Sequence, residues 1–205
     1  MVFGCWWILF FLCISLKAET IQSIRIIGNH YTKEHVILRE IQHPIPGEFD
    51  NFILEKDEDR VYNLGLFSTV DISTQSSVYI VTVVETFRVI PFPLLDYDEG
   101  KGISYGGGVA YINFRGLNEK LTFGMLFGEE KTWFLNFLDP WITGEHVSIN
   151  LGMYNFFTDG AVYAYKYQEK GGYAGSGFYR GNRNKYDVKM GIETISLDTA
   201  GVTTD

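Results

Sequence analysis

From Leu121 to Ile192 the chain alternates at period two. Leu121, Phe123, Met125 and Phe127 interleave with Thr122, Gly124, Leu126 and Gly128. Trp133, Leu135 and Phe137 interleave with Phe134, Asn136 and Leu138, the least polar of these runs. Val147, Ile149, Leu151 and Met153 interleave with Ser148, Asn150, Gly152 and Tyr154; Tyr186, Val188, Met190 and Ile192 with Asp187, Lys189, Gly191 and Glu193. Successive side chains of a strand point to opposite faces, so each run is a strand with one greasy face and one mostly small or polar face. No stretch after Ala18 is long and apolar enough for a membrane helix.

Two architectures use such strands: a membrane barrel with lipid outside, and a soluble antiparallel sandwich. The runs are about nine to twelve residues, enough for a tilted membrane strand. Tyr105, Tyr111, Trp133, Trp141, Phe156, Phe157 and Tyr163 crowd near strand ends, as interfacial girdles do. Charged residues are only 20% of the chain and aromatics 16%, with 22 glycines, which suits an apolar outer surface. These features favour the barrel; patterning alone leaves the sandwich open. Ala161–Arg180 reads as one long strand or as two around Gly171-Gly172.

Val2–Ser15 is almost wholly apolar and is closed by Lys17-Ala18-Glu19. Residues 1–18 therefore read as a secretory signal peptide. No basic residue precedes the apolar run, and Leu16 fills a position where a small residue is usual, so an uncleaved anchor is the alternative. Cys5 and Cys13 both fall in this segment. Beyond it, disulfides and thiolate metal sites are excluded. The formal charge is −8, and loss of Lys17 makes it one unit more negative. That balance argues against nucleic acid, whose phosphates need clustered Lys and Arg, and disfavours a surface for anionic lipid.

Residues 19–86 form the next unit. Ile21–Ile27 reads as a strand with Ile24 and Ile26 toward a core, and Ile21, Ser23, Arg25 and Ile27 on the wetter face. Gly28-Asn29 ends it. Thr32 is the expected N-cap of a short helix to about Ile41. A second helix starts at Phe49-Asp50 and runs to about Leu64, with Ile53, Leu54, Val61 and Leu64 at helical spacing. Its charge run Glu55–Asp59 is expected to be mostly wet, and Gly65 is the expected C-cap. Phe67–Ser73 and Val78–Glu85 are two further strands around the turn at Gln75-Ser76-Ser77.

The order strand-helix-helix-strand-strand resembles a POTRA domain. The matching residues are Ile24-Arg25-Ile26-Ile27-Gly28-Asn29, Thr32, Arg39-Glu40-Ile41, Gly47, Asn63-Leu64-Gly65-Leu66-Phe67, Val70 and Val83-Val84-Glu85. Farther on, Pro91-Phe92-Pro93, Tyr105-Gly106, Asn113-Phe114-Arg115-Gly116, Asn118-Glu119-Lys120-Leu121 and Leu138-Asp139-Pro140-Trp141 resemble elements of BamA-like outer-membrane barrels. The expected fold is an α+β POTRA domain (19–86) followed by an antiparallel transmembrane β-barrel (87–205). The resemblance implies that the Asn-Phe-Arg-Gly and Asp-Pro-Trp turns both lie on the periplasmic side, and the two strands and tight loop Gly128–Lys131 between them return the chain to one common side. The traced strands are fewer than the family's barrel holds, and no terminal aromatic strand closes the chain, so the barrel is expected to be incomplete.

The resemblance implies an assembly factor of the outer membrane, with the POTRA domain in the periplasm. Its partners would be unfolded outer-membrane protein clients, outer-membrane lipid and accessory assembly lipoproteins, with no nucleic acid. The domain would capture clients by strand addition along an exposed edge, giving Val70, Asp71, Ile72 and Ser73 as candidate contacts. The edge being simply solvated or packed on the barrel is the competing reading. The alternatives in function are a two-partner-type secretion transporter and a passive surface-antigen barrel.

No catalytic constellation, metal site or cofactor is expected. His30 and His35 are five apart, wrong for a helical zinc pair. With His43 and His146 they read as surface groups. Asp96, Asp98 and Glu99 read as a solvated acidic loop. Gly106-Gly107-Gly108 is followed by neither helix nor Lys-Ser/Thr, so it is no phosphate loop; the barrel glycines are expected to let strands curve and keep the lumen clear. A lipase-type Gly-x-Ser-x-Gly elbow does not occur.

Overall fold

The computed structural model describes residues 20–99, 102–142, 147–159, 166–180 and 184–198. The expected signal peptide at 1–18, His146, Tyr163 and the last residues lie outside them.

The N-terminal unit is built from β1 (Thr20–Ile21), β2 (Ser23–Ile27), α1 (Glu34–Leu38), β3 (Gly47–Glu48), α2 (Asn51–Tyr62), β4 (Phe67–Gln75) and β5 (Val78–Glu85). β2, β5 and β4 form a three-stranded sheet in that order, β2 parallel and β4 antiparallel to β5; β1 pairs with β3 separately. The core lies between sheet and helices: Ile21, Val36, Ile37, Val61, Leu66, Phe67, Val70, Ile72, Tyr79, Val81 and Val83 are buried, and Ile24 and Ile26 pack against them. Asp50 caps α2, its carboxylate accepting from the Phe52 and Ile53 amides. Gly65, at φ 69°, takes the left-handed conformation that stops it.

Four expectations for this unit are corrected. Ile21 sits in a separate strand that turns it fully into the core, while Ile27 is exposed. Lys33, not Thr32, occupies the N-cap of α1 and makes no side-chain cap bond. Asp57, inside the charge run, is completely buried, because it lies on the apolar stripe of α2 between Ile53 and Val61. Its carboxylate accepts from the Gln42 and His43 amides at 2.8 and 3.1 Å, from the Tyr79 hydroxyl at 3.0 Å and from Arg60. Burial first, then that carboxylate, pushes Tyr79 above its ordinary pKa. His43 is buried against Tyr79; its Nε2 faces the Asp50 amide and its Nδ1 faces the Pro44 carbonyl.

The rest is one antiparallel sheet: β6 (Val89–Asp98), β7 (Gly102–Phe114), β8 (Glu119–Gly128), β9 (Glu130–Asp139), β10 (Val147–Asp159), β11 (Lys166–Arg180) and β12 (Asn184–Asp198), in sequential order. β11 is continuous through Gly171-Gly172. β6 and β12 are the sheet's two edges, unpaired with each other among the described residues.

Register aligns the greasy positions across strands. Val109 faces Phe123, which faces Leu135, which faces Met153; Ala174 faces Met190. Phe123, Leu135, Leu151, Met153, Val188, Met190 and Ile192 are exposed, forming the apolar band a membrane strand presents to lipid. The other face carries a polar network. Asn136 donates to Asn150 Oδ1 at 2.7 Å and to Tyr173 Oη at 2.8 Å, and the Lys189 ammonium lies 3.5 Å from the Tyr173 ring centroid. Phe156 sits on this inner face too, against Tyr154, rather than in an outer girdle.

The inner-face glycines are not clear space, as the sequence suggested. A methyl at Gly108 would lie 2.4 Å from the Phe92 ring, at Gly124 2.5 Å from Phe134, and at Gly152 2.2 Å from Tyr173. Each glycine is the floor on which a neighbouring strand's aromatic ring lies.

Candidate functional site

Among the described residues β2, β4, β6 and β12 each end a sheet; two of these edges, β4 and β6, bear on the binding of another extended chain. The first is β4, which pairs only with β5 among the described residues. Ser76 and Ser77, at φ 51° and 65°, form a two-residue turn, so the flanking pair Gln75–Val78 is hydrogen-bonded. Alternation from there turns the N–H and C=O of Val70, Ile72 and Thr74 outward. The side chains of Val70 and Ile72 point into the core, whereas Asp71 and Ser73 are exposed. The four expected contact residues therefore divide into two outward backbones and two outward side chains.

The second edge is β6. The Ile112 amide donates to the Arg88 carbonyl at 2.7 Å. This sets the parity: even positions of β6 bond β7, and Val89, Pro91, Pro93, Leu95 and Tyr97 face outward. Proline has no N–H, so both prolines sit where a donor would have pointed to a new partner. Over Pro91–Pro93 the edge offers acceptors only.

The POTRA unit and the sheet are joined through a built contact. The turn at 113–118 places Asn113, Arg115 and Asn118 at φ 62°, 57° and 63°, a conformation that asparagine tolerates best among residues with a Cβ. Asn113 Oδ1 accepts from the Asn118 amide at 2.7 Å, and its Nδ2 donates to Thr32 Oγ1 at 2.8 Å. Thr32 in turn donates from hydroxyl and amide to Glu85 Oε1, both at 2.6 Å. Burial alone would raise the Glu85 pKa; the bonds from Thr32 and Tyr31 outweigh it and hold the carboxyl below its ordinary value. Gly116 accepts from the Lys33 amide, and a methyl on it would lie 2.4 Å from the Tyr31 carbonyl. Only glycine permits that approach. Arg88 stacks on Tyr31 at 3.9 Å, and the Tyr31 and Tyr111 hydroxyls meet at 3.0 Å. The second turn, after β9, meets α1: the Arg39 guanidinium lies 4.4 Å from the Trp141 ring centroid. Both turns thus lie at the same end of the sheet, as the parity of the sequence required.

Sequence reasoning did not find this joint. Thr32 was read as a helix cap and a motif member, and Asn113 as a motif member only. The signal available was Asn113-Phe114-Arg115-Gly116 itself, a turn richer in left-handed positions than a plain hairpin needs.

An α+β unit with a free edge, fused without a linker to an open sheet with an apolar outer band, is the architecture of a POTRA domain entering a membrane barrel. Comparisons with known proteins agree. Residues 19–87 match the POTRA family model, described as "Surface antigen variable number repeat". BamA from Haemophilus ducreyi lacking POTRA domains 1-3 is similar at TM-score 0.74 and 20% identity, over 87% of this chain and 36% of that one. CdiB from Acinetobacter baumannii matches at TM-score 0.55 and 13% identity, over 87% and 39%. CdiB from Escherichia coli matches at TM-score 0.55 and 12% identity, over 88% and 38%. The chain carries a POTRA domain and has a BamA-like fold, and it spans little more than a third of the length of these structures.

Proposed function

We propose that the protein works at the outer membrane as an assembly and insertion factor, with its POTRA domain in the periplasm. The β4 edge takes up extended segments of unfolded outer-membrane proteins by strand addition, through the backbones of Val70, Ile72 and Thr74. The β6 edge is the seam at which client strands then pair in the membrane. What carries this reading is the proline-interrupted outward edge of β6. A full ladder on that edge lacks two donors, so whatever strand closes there is held less firmly than in the rest of the sheet. Pairing and burial of client strands supply the driving force, so the protein is read as a non-enzyme without a cofactor. Outer-membrane lipid and accessory lipoproteins are the further partners of this reading.

The likeness to CdiB favours a second reading, export of a dedicated partner protein through the barrel. Photo-crosslinkers at Ser73 and Tyr97 separate the two. Adducts with many outer-membrane proteins, and their general loss on depletion, support assembly. Adducts with one secreted protein and no general loss replace it with transport. No adducts and no growth defect would leave a passive surface barrel.

A further inference from the structure

A cleft of about 460 Å³ lies between α1 and the two turns at the POTRA end of the sheet, lined by His35, Arg39, Arg115, Leu117, Glu119, Asp139, Trp141 and Ile142. Glu119 is fully buried and already held by both arms of the Arg115 guanidinium. Asp139 accepts from the Trp141 amide at 2.9 Å, which leaves a carboxylate more lone pairs to offer. Arg39 is the unfinished member. Its Nε has the Glu40 carboxylate at 3.5 Å, yet Nε and Nη2 are buried without a hydrogen-bond acceptor. A buried guanidinium whose carboxylate neighbour stands as far as 3.5 Å from Nε carries a desolvation cost that an incoming anionic oxygen would recover. Burial correspondingly lowers the Arg39 pKa.

We propose that this cleft binds the phosphoethanolamine head group of a zwitterionic phospholipid. The phosphate would turn Arg39 from the Trp141 face into the cleft and fill its empty donors. The ammonium would meet Asp139. Two arginines face two carboxylates in the lining, and the chain as a whole is acidic; both select a zwitterion over an anionic lipid. Leu117, Trp141 and the exposed Ile142 offer apolar surface for the glycerol and first acyl carbons. The cleft lies at the ends of β8 and β9, beside the turns on the POTRA side of the sheet, where the membrane reading of the sheet puts a bilayer surface. The inference rests on the membrane reading of the sheet, which heat-dependent electrophoretic mobility tests separately.

The test is native mass spectrometry of the detergent-solubilised protein titrated with phosphatidylethanolamine, phosphatidylglycerol or inorganic phosphate. Phosphatidylethanolamine is expected to be retained at lowest concentration. Arg39→Gln and Asp139→Asn are each expected to weaken it about tenfold, the loss of one charge-assisted contact, while keeping wild-type heat-dependent mobility. Equal retention by wild type and Arg39→Gln overturns the site. Phosphatidylglycerol binding as well as phosphatidylethanolamine overturns the zwitterion selection. Displacement of lipid by inorganic phosphate alone reduces the site to a free-anion pocket and overturns the lipid assignment. The wild-type ranking needs no variant, so the proposal stays testable if a substituted protein fails to fold.

Discussion

The POTRA unit and the sheet solve the same problem from opposite sides. In the POTRA unit apolar side chains turn inward, and the polar groups that enter the core arrive with partners, as Asp57 does with Arg60 and Tyr79. In the sheet the apolar side chains turn outward and the polar network of Asn136, Asn150 and Tyr173 lies within. One region is stable by burial in water; the other needs lipid on its outer band. The comparison extends to their edges. β4 presents an unbroken set of outward donors and acceptors, and β6 has two donors removed. An edge with its full set of outward groups and an edge lacking two donors are thus different objects, although both are antiparallel strands ending a sheet.

The sharpest way to break this contrast is Asp57→Ala. It leaves the Gln42 and His43 amides and the Tyr79 hydroxyl without their acceptor and the Arg60 guanidinium without its anionic partner, though Arg60 Nε keeps the Glu40 carbonyl, at a cost of about 3–5 kcal/mol typical of breaking a buried charge pair. Amide hydrogen exchange should accelerate throughout β5 and α2 and stay unchanged in β8–β10. Equal acceleration in both regions would mean that the sheet depends on the POTRA core for its own stability.

Asp57 also shows where sequence reading stops. Periodicity finds the element, since Ile53, Leu54, Val61 and Leu64 define α2 and its buried stripe. The same spacing places residue 57 on that stripe, but charge composition pulled it to the surface. The succession of strands and the common side of the two turns followed from alternation and parity, and the β4 edge from the resemblance to a POTRA domain. Polar groups that pair across long separations did not. Thr32 and Asn113 are 81 residues apart, and neither residue's local pattern names the other. The glycines failed for a related reason: a glycine says that a side chain is absent, and only the neighbouring strand's register says that a ring fills the gap.

The edges themselves can be made alike. Changing Pro91 and Pro93 together to valine restores two outward donors to β6 and should strengthen any strand paired there by about 1–3 kcal/mol, at the usual net value per hydrogen bond. Client insertion, followed as the folded fraction of a newly made outer-membrane protein, should fall. A rise would show that tight pairing at this edge, not loose pairing, is what insertion needs.

The joint between the regions is the next largest effect. Thr32→Val removes the hydroxyl that links Glu85 to Asn113 and should cost about 1–2 kcal/mol in holding the POTRA unit against the 113–118 turn. Spin-label distances from residue 56 to residue 120 should broaden. Acid gives an independent handle on the same link. Because the folded Glu85 pKa is depressed, its contribution is complete above the ordinary carboxylate range and is lost only as pH falls through the lower folded value. The distance distribution should therefore stay narrow at pH 6 and broaden only below about pH 4. Broadening that begins near pH 6 would point to a histidine and away from Glu85.

The smallest expected effect on stability comes from giving β4 the device that β6 already has. Thr74 is half-buried, and its N–H faces outward. Thr74→Pro therefore removes an edge donor without breaking a bond to β5, the one kind of strand position where proline is tolerated. POTRA stability should change by no more than about 1 kcal/mol, within the range of substitutions that break no buried contact. Crosslinking of clients to Ser73 should nonetheless drop, because the added strand loses a ladder bond next to the labelled position. If crosslinking is unchanged while the fold is intact, clients reach this surface through the exposed side chains of Asp71 and Ser73 and not through the backbone. The edge would then be a charged docking face, and strand addition would be confined to β6.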